Sequence, residues 1–104
     1  MSDKVKEIAS TDEFKSITGT GTVLVDFYAT WCGPCRLQQP ILENVAARIE
    51  GKAVIIKVDT DEHPEIAAQY QIEKIPTLIV FKDGQVAERF LGIQQEDILV
   101  EAIS

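Results

Sequence analysis

The chain is poor in the side chains that usually mark a metal or polyanion site. His63 is its only histidine, and Cys32 and Cys35 are its only cysteines, too few for the four usual ligands of a structural zinc site. Ten Lys and Arg stand against seventeen Asp and Glu, a formal charge of −7, so neither nucleic acid nor an anionic membrane surface is an expected partner. No apolar run approaches the ~20 residues that a helix needs to cross a bilayer. Linkers, low-complexity tracts and internal repeats are also missing, and one domain spanning residues 1–104 is expected. The opening Met1-Ser2-Asp3-Lys4-Val5-Lys6-Glu7 lacks the apolar core of a signal peptide, which makes the cytoplasm the expected location. With no coiled-coil heptad, the expected state is a monomer.

What the chain does have is Trp31-Cys32-Gly33-Pro34-Cys35, both of its cysteines separated by a dipeptide. As a staple this is weak, since closing so short a loop removes roughly 2 kcal/mol of unfolded-state disorder against about 4.7 for a hundred-residue loop. A chain of this length can also bury a sufficient core without a disulfide. In the cytoplasm thiols are kept reduced, and the disulfides that form are usually transient and catalytic. Sulfur chemistry is therefore the sharper reading, with two buried unreactive cysteines as the bland one.

Periodicity supplies the context. Residues 5–8 suit a short strand, and Ser10-Thr11-Asp12-Glu13 matches a capping box opening a helix towards Gly19. Residues 23–29 are apolar on both faces apart from Asp26, as in a central strand covered on each side. Leu37, Ile41, Leu42, Val45, Ala46 and Ile49 recur at helical spacing, with Pro40 expected to kink that helix and Gly51 to end it. Residues 53–58 form a second buried-type strand, and strand–helix–strand order predicts a parallel pair with a right-handed crossover. Pro64 suits the first turn of a helix reaching about Tyr70, capped by Asp59 or Asp61. Residues 77–81 and 86–91 flank Lys82-Asp83-Gly84-Gln85, the pattern of an antiparallel hairpin. Ile98, Leu99, Ala102 and Ile103 give a last helix one apolar face.

A strand ending near Ala29 and a helix beginning near Pro34 put Cys32 at a helix N-terminus, where unpaired N–H groups and the helix dipole favour a thiolate. Cys35, one turn further in, is expected to be more buried and less ionised. Gly33 leaves the sulfur open to a large partner. Asp26 within an apolar strand is expected to hold its proton to higher pH than an exposed aspartate, although a carboxylate simply satisfied by a hydrogen bond fits the residues equally well. Lys57 in the neighbouring strand either pairs with Asp26 or reaches solvent. Trp31, beside Cys32, favours a partly exposed contact surface over a place in the core.

Trp-Cys-Gly-Pro-Cys after an apolar strand bearing one aspartate, then Ile-Pro-Thr before a later strand, resembles the thioredoxin family over essentially the whole chain. The resemblance implies an α/β thioredoxin fold, a central mixed sheet of about five strands flanked by four helices. It also implies a general protein-disulfide reductase and dithiol electron carrier working by reversible Cys32–Cys35 exchange. In that reading Cys32 is the nucleophile, Cys35 resolves the mixed disulfide, Asp26 transfers a proton to and from Cys35, and Lys57 plays a secondary part. Ile75–Pro76 is cis by resemblance, whereas a generic X–Pro bond is cis in only ~5–6% of cases. Trp31, Gly33, Pro34, Ile75, Pro76, Gly92 and Ile93 then form a flat, mainly apolar patch for disulfide-containing protein substrates.

The chain has no glycine fingerprint for a nucleotide, so no cofactor besides the disulfide is expected on it. NADPH and FAD enter only through the implied partner, thioredoxin reductase. Tyr28, Arg36, Thr60, Lys74 and Ile93 depart from the commonest family residues, Tyr28 standing where tryptophan is frequent. An oxidase or isomerase on the same fold is the nearest rival reading, and histidine in the dipeptide would have favoured it. A non-catalytic binding module is the other.

Overall fold

The computed structural model describes residues 4–104. The first three residues of the stretch read for a leader lie outside them. The described elements run β1 (Val5–Glu7), α1 (Thr11–Thr18), β2 (Thr22–Tyr28), α2 (Gly33–Ile49), β3 (Val54–Asp59), α3 (Pro64–Gln69), β4 (Thr77–Lys82), β5 (Gln85–Leu91) and α4 (Glu96–Ile103). They build a five-stranded sheet in the order β1-β3-β2-β4-β5. β1, β3 and β2 are parallel, while β4 runs antiparallel to β2 and β5 antiparallel to β4. This is the mixed α/β sheet with four helices that the sequence predicts.

Strand alternation sorts the core into two layers. Val23, Val25 and Phe27 of β2 pack with Phe14 of α1 and Ile66 of α3 on one face. Leu24 packs with Leu42, Val45 and Ala46 of α2 and with Leu99 of α4 on the other. β2 is thus enclosed on both faces and both edges, and every residue from Val23 to Phe27 is buried.

Local chemistry sets the ends. Ser10 Oγ accepts from Glu13 N–H at 3.1 Å, and Glu13 Oε1 reaches back to Ala9 N–H at 2.8 Å, a capping box closed one residue earlier than usual. Asp83 and Gly84 both take positive φ, 50° and 85°, as a two-residue hairpin turn twisted with its strands requires. α2 continues through Pro40 and ends on Glu50, whose left-handed φ of 41° precedes Gly51 at 85°. Glu50 therefore takes the capping position that the sequence assigns to Gly51. The cap of α3 is His63, not Asp59 or Asp61. Asp59 instead accepts from the N–H groups of Asp61 and Glu62, turning the loop that precedes the helix. Leu37 and Ile98, expected on the apolar faces, are exposed, because each points away from the buried residues of its helix.

Candidate active site

β2 delivers the chain to its C-terminal end at Tyr28, and α2 begins five residues later. Cys32 is the N-cap of α2, with extended backbone (φ −88°, ψ 114°), and its Sγ accepts from Cys35 N–H at 3.2 Å. Pro34 fills the first turn, where a missing N–H costs nothing. Cys32 and Cys35 are joined as a disulfide with Cα atoms 5.3 Å apart. Gly33 is exposed, and a Cβ added there would meet no atom within 4 Å.

The expected difference in burial between the two cysteines is not found. Each is 4% exposed, because the bond holds both sulfurs in one small cluster with Tyr28, Ala29 and Ile75. What separates them is their surroundings. Cys32 Sγ lies 3.8 Å from the Ile75 carbonyl oxygen. Cys35 instead lines a cleft of about 210 Å³ with Tyr28, Ala29, Thr30, Arg36, Gln39 and Lys57.

The Ile75–Pro76 peptide bond is cis. Pro76 O accepts from Gly92 N–H at 2.8 Å, bringing the end of β5 beside the start of β4. Gly92 has φ 85°, a conformation that L side chains rarely adopt. Trp31 is 68% exposed, with its indole N–H donating to Asp61 Oδ2 at 2.8 Å. Trp31, Gly33 and Pro34 thus form the exposed part of the expected patch, and Ile75, Gly92 and Ile93 are half-buried. Pro76 is buried, so it shapes the patch from beneath and adds little to its surface.

Asp26 is 1% exposed, and neither carboxylate oxygen has a hydrogen-bond partner among the described residues. Burial pushes its pKa up to about 7, with Lys57 acting against the rise and Glu7 adding to it. The hydrogen-bonded alternative therefore does not apply. Lys57 makes no ion pair with Asp26, although the two are register partners. Its ammonium lies 3.8 Å from Glu7 Oε1 and 4.7 Å from the centroid of the Tyr28 ring.

Three supporting residues escape the sequence reading. Gln38 is fully buried, donating to Gln94 O at 3.0 Å and accepting from Gln94 N–H at 2.7 Å, which ties α2 to the loop after β5. Its signal was available, since 35, 38, 42, 45 and 49 make one helical stripe in which glutamine is the only strongly polar member. Asp61 and Glu7 are recognisable only once the partners that reach them are known. Among the described residues no three His, Cys, Asp or Glu side chains gather as a metal cluster.

A paired Cys-x-x-Cys at a helix N-terminus has the arrangement that thiol–disulfide oxidoreductases use, since one sulfur can carry negative charge there while the other lies within bonding reach. The comparisons agree. The thioredoxin family model matches residues 5–104. A thioredoxin of Staphylococcus aureus (strain Mu50 / ATCC 700699) is 52% identical over 91 residues, 88% of each chain. Among solved structures, a mutant thioredoxin from Halobacterium salinarum NRC-1 superposes with a TM-score of 0.88 at 36% identity, covering 97% of this chain and 88% of its own. Malassezia sympodialis thioredoxin gives 0.87 at 39% identity, covering 95% and 87%. The chain belongs to the thioredoxin family, and with it to the protein-disulfide oxidoreductases that work through a redox-active Cys-x-x-Cys pair.

Proposed function

We propose that Cys32 is the attacking thiol, Cys35 the resolving thiol, and Asp26 the group that takes and returns the Cys35 proton. The observation that carries this reading is the N-cap placement of Cys32, whose sulfur already accepts a backbone N–H at 3.2 Å. Negative charge on that sulfur meets the positive end of α2, a helix of 17 residues. The Cys32 thiolate attacks one sulfur of a target disulfide, forming a mixed disulfide and expelling the other target sulfur as a thiolate. Cys35 then gives its proton to Asp26 and attacks Cys32 Sγ, which forms the Cys32–Cys35 bond and releases the second target thiolate. Two electrons pass to the target, and the departing thiolates take up protons. A carboxyl that titrates near 7 is matched to this exchange at neutral pH.

Returning the pair to the dithiol needs two electrons from outside. The family implies a reductase as their source, and we assign a flavin- and NADPH-dependent thioredoxin reductase to that role. Trp31, Gly33, Pro34, Ile75, Gly92 and Ile93, with Pro76 beneath them, would seat an extended segment of the target, its backbone pairing with that of Ile75. No helix among the described residues is long and apolar enough to cross a membrane. We place the protein in the reducing cytoplasm as a monomer. The test is a Cys35→Ser variant challenged with a protein disulfide. A stable mixed disulfide through Cys32 is expected, whereas a mixed disulfide mapped to Cys35 in a Cys32→Ser variant with normal turnover would reverse the roles.

A further inference from the structure

Three ionisable side chains form one row across the sheet. Glu7 on β1, Lys57 on β3 and Asp26 on β2 are successive register partners, on the face that α2 and α4 cover. Tyr28 lies two residues beyond Asp26 and so on the same face. Its hydroxyl donates to Glu7 Oε1 at 2.6 Å, spanning β3 to do so. The Lys57 ammonium lies beneath that span, 4.7 Å from the ring centroid and 3.8 Å from the same Glu7 oxygen. It is held towards the sheet edge, while both oxygens of its other row neighbour, Asp26, have no hydrogen-bond partner among the described residues.

A cation between two carboxylates goes where its contacts are best. Glu7 offers a half-exposed carboxylate already oriented by the phenol, and the ring of Tyr28 adds a cation–π contact. Tyrosine matters here because a hydroxyl at the far end of the ring is what reaches Glu7. We propose that Glu7 is a positioning residue for proton transfer at Cys35: braced by the Tyr28 hydroxyl, it holds the Lys57 ammonium towards β1 and away from the Asp26 carboxyl. Asp26 then keeps its proton to higher pH than it would beside that ammonium. The proposal rests on the proton-transfer reading of Asp26.

The other charged and titratable groups nearby do not replace this contact. β3 adds Asp59, whose carboxylate accepts from the Asp61 and Glu62 N–H groups. α2 contributes Cys35 and Arg36 to the cleft shared with Lys57, and Arg36 donates to Thr30 O at 3.2 Å. β4 and α4 bring the apolar Leu78 and Leu99 to this face. The acidic Glu96 and Asp97 of α4 pair with Arg48. The opposed influences of Lys57 and Glu7 on Asp26 agree with the geometry.

The experiment follows the Asp26 carboxyl carbon by NMR across a pH titration of the oxidised protein, in the wild type, Glu7→Gln, Lys57→Gln and the double variant. Glutamine keeps an acceptor for the Tyr28 hydroxyl and removes only the charge, at an exposed position on an edge strand. Glu7→Gln is expected to lower the Asp26 midpoint by about one pH unit as Lys57 turns towards it. In the Lys57→Gln background the same change is expected to move it by less than about a third as much, since there is no ammonium left to redirect. Equal shifts in both backgrounds would show Glu7 acting as a plain distant charge and would overturn the proposal, as would an unmoved midpoint in Glu7→Gln. The pH profile of thiol exchange by the reduced protein is expected to follow the Asp26 midpoint. A midpoint that shifts while the profile stays fixed would instead sink the role of Asp26 in the reaction, leaving the placement of Lys57 by Glu7 intact.

Discussion

The two faces of β2 share one backbone and differ in purpose. On the α1/α3 face Val23, Val25 and Phe27 join an unbroken apolar layer, in which Phe14, Tyr70 and Phe81 meet edge to face or tilted at centroid distances of 5.4–5.9 Å. On the α2/α4 face the row begins with Leu24 and then turns polar at Asp26 and Tyr28, below the cysteines. Neighbouring residues thus go to opposite uses. Phe27 rigidifies the strand that aims the site, and Asp26 places an ionisable group where burial raises its proton affinity, with Lys57 opposing the rise and Glu7 adding to it. The apolar layer supports the strand whichever charge state the other face adopts.

The sharpest way to break this comparison is at the sulfur. Cys32→Ser is expected to reduce protein-disulfide reduction by roughly a thousandfold or more while leaving the apolar face and the melting temperature of the dithiol form nearly unchanged, as insulin turbidity and calorimetry would read together. Next is Phe27→Ala, which empties a fully buried ring position and is expected to cost about 3–5 kcal/mol in denaturant unfolding, with little dependence on pH.

Asp26→Asn should act in the opposite direction and only over part of the pH range. Below the ordinary aspartate value of 3.8 the folded and unfolded chains both hold the proton, whereas between 3.8 and about 7 only the folded chain keeps it. Wild-type stability therefore falls as pH rises through that window and levels off above it. Removing the charge is expected to restore up to roughly 4 kcal/mol on the alkaline side and nothing at the acid end. Parallel stability curves for the two proteins would contradict the buried, unpartnered carboxylate. Smallest is Ser10→Ala, away from both layers, which loses the α1 cap and is expected to cost ~1 kcal/mol without altering exchange kinetics.

Legibility in the sequence follows the range of the interaction concerned. β2, the hairpin at Asp83-Gly84 and the placement of Cys32 before Pro34 are decided by residues close in the chain, and periodicity or turn chemistry reveals them. Glu50 and His63 take capping positions from better-suited neighbours because the surrounding packing fixes where each helix stops and starts. The ion-pair partner of Lys57 is a matter of strand order. Only when β1 is known to lie against β3 does Glu7 become a candidate, and nothing in residues 53–58 points to it. The equal burial of Cys32 and Cys35 has a covalent cause that helix position alone does not reveal, since the closed disulfide holds both residues in one cluster.

The paired hydrogen bonds of Gln38 with Gln94 clamp the helix bearing the sulfurs to the loop that follows Gly92, and they do so without involving the sulfur–sulfur bond. Opening that bond is therefore expected to leave the spacing of the helix and the loop as it is. A carrier whose outline does not change with its redox state is expected to compete, when spent, with its fresh form for a docking partner, so that throughput depends on the ratio of the two. Matched inhibition constants for the oxidised protein and for a Cys32→Ser, Cys35→Ser variant would bear this out.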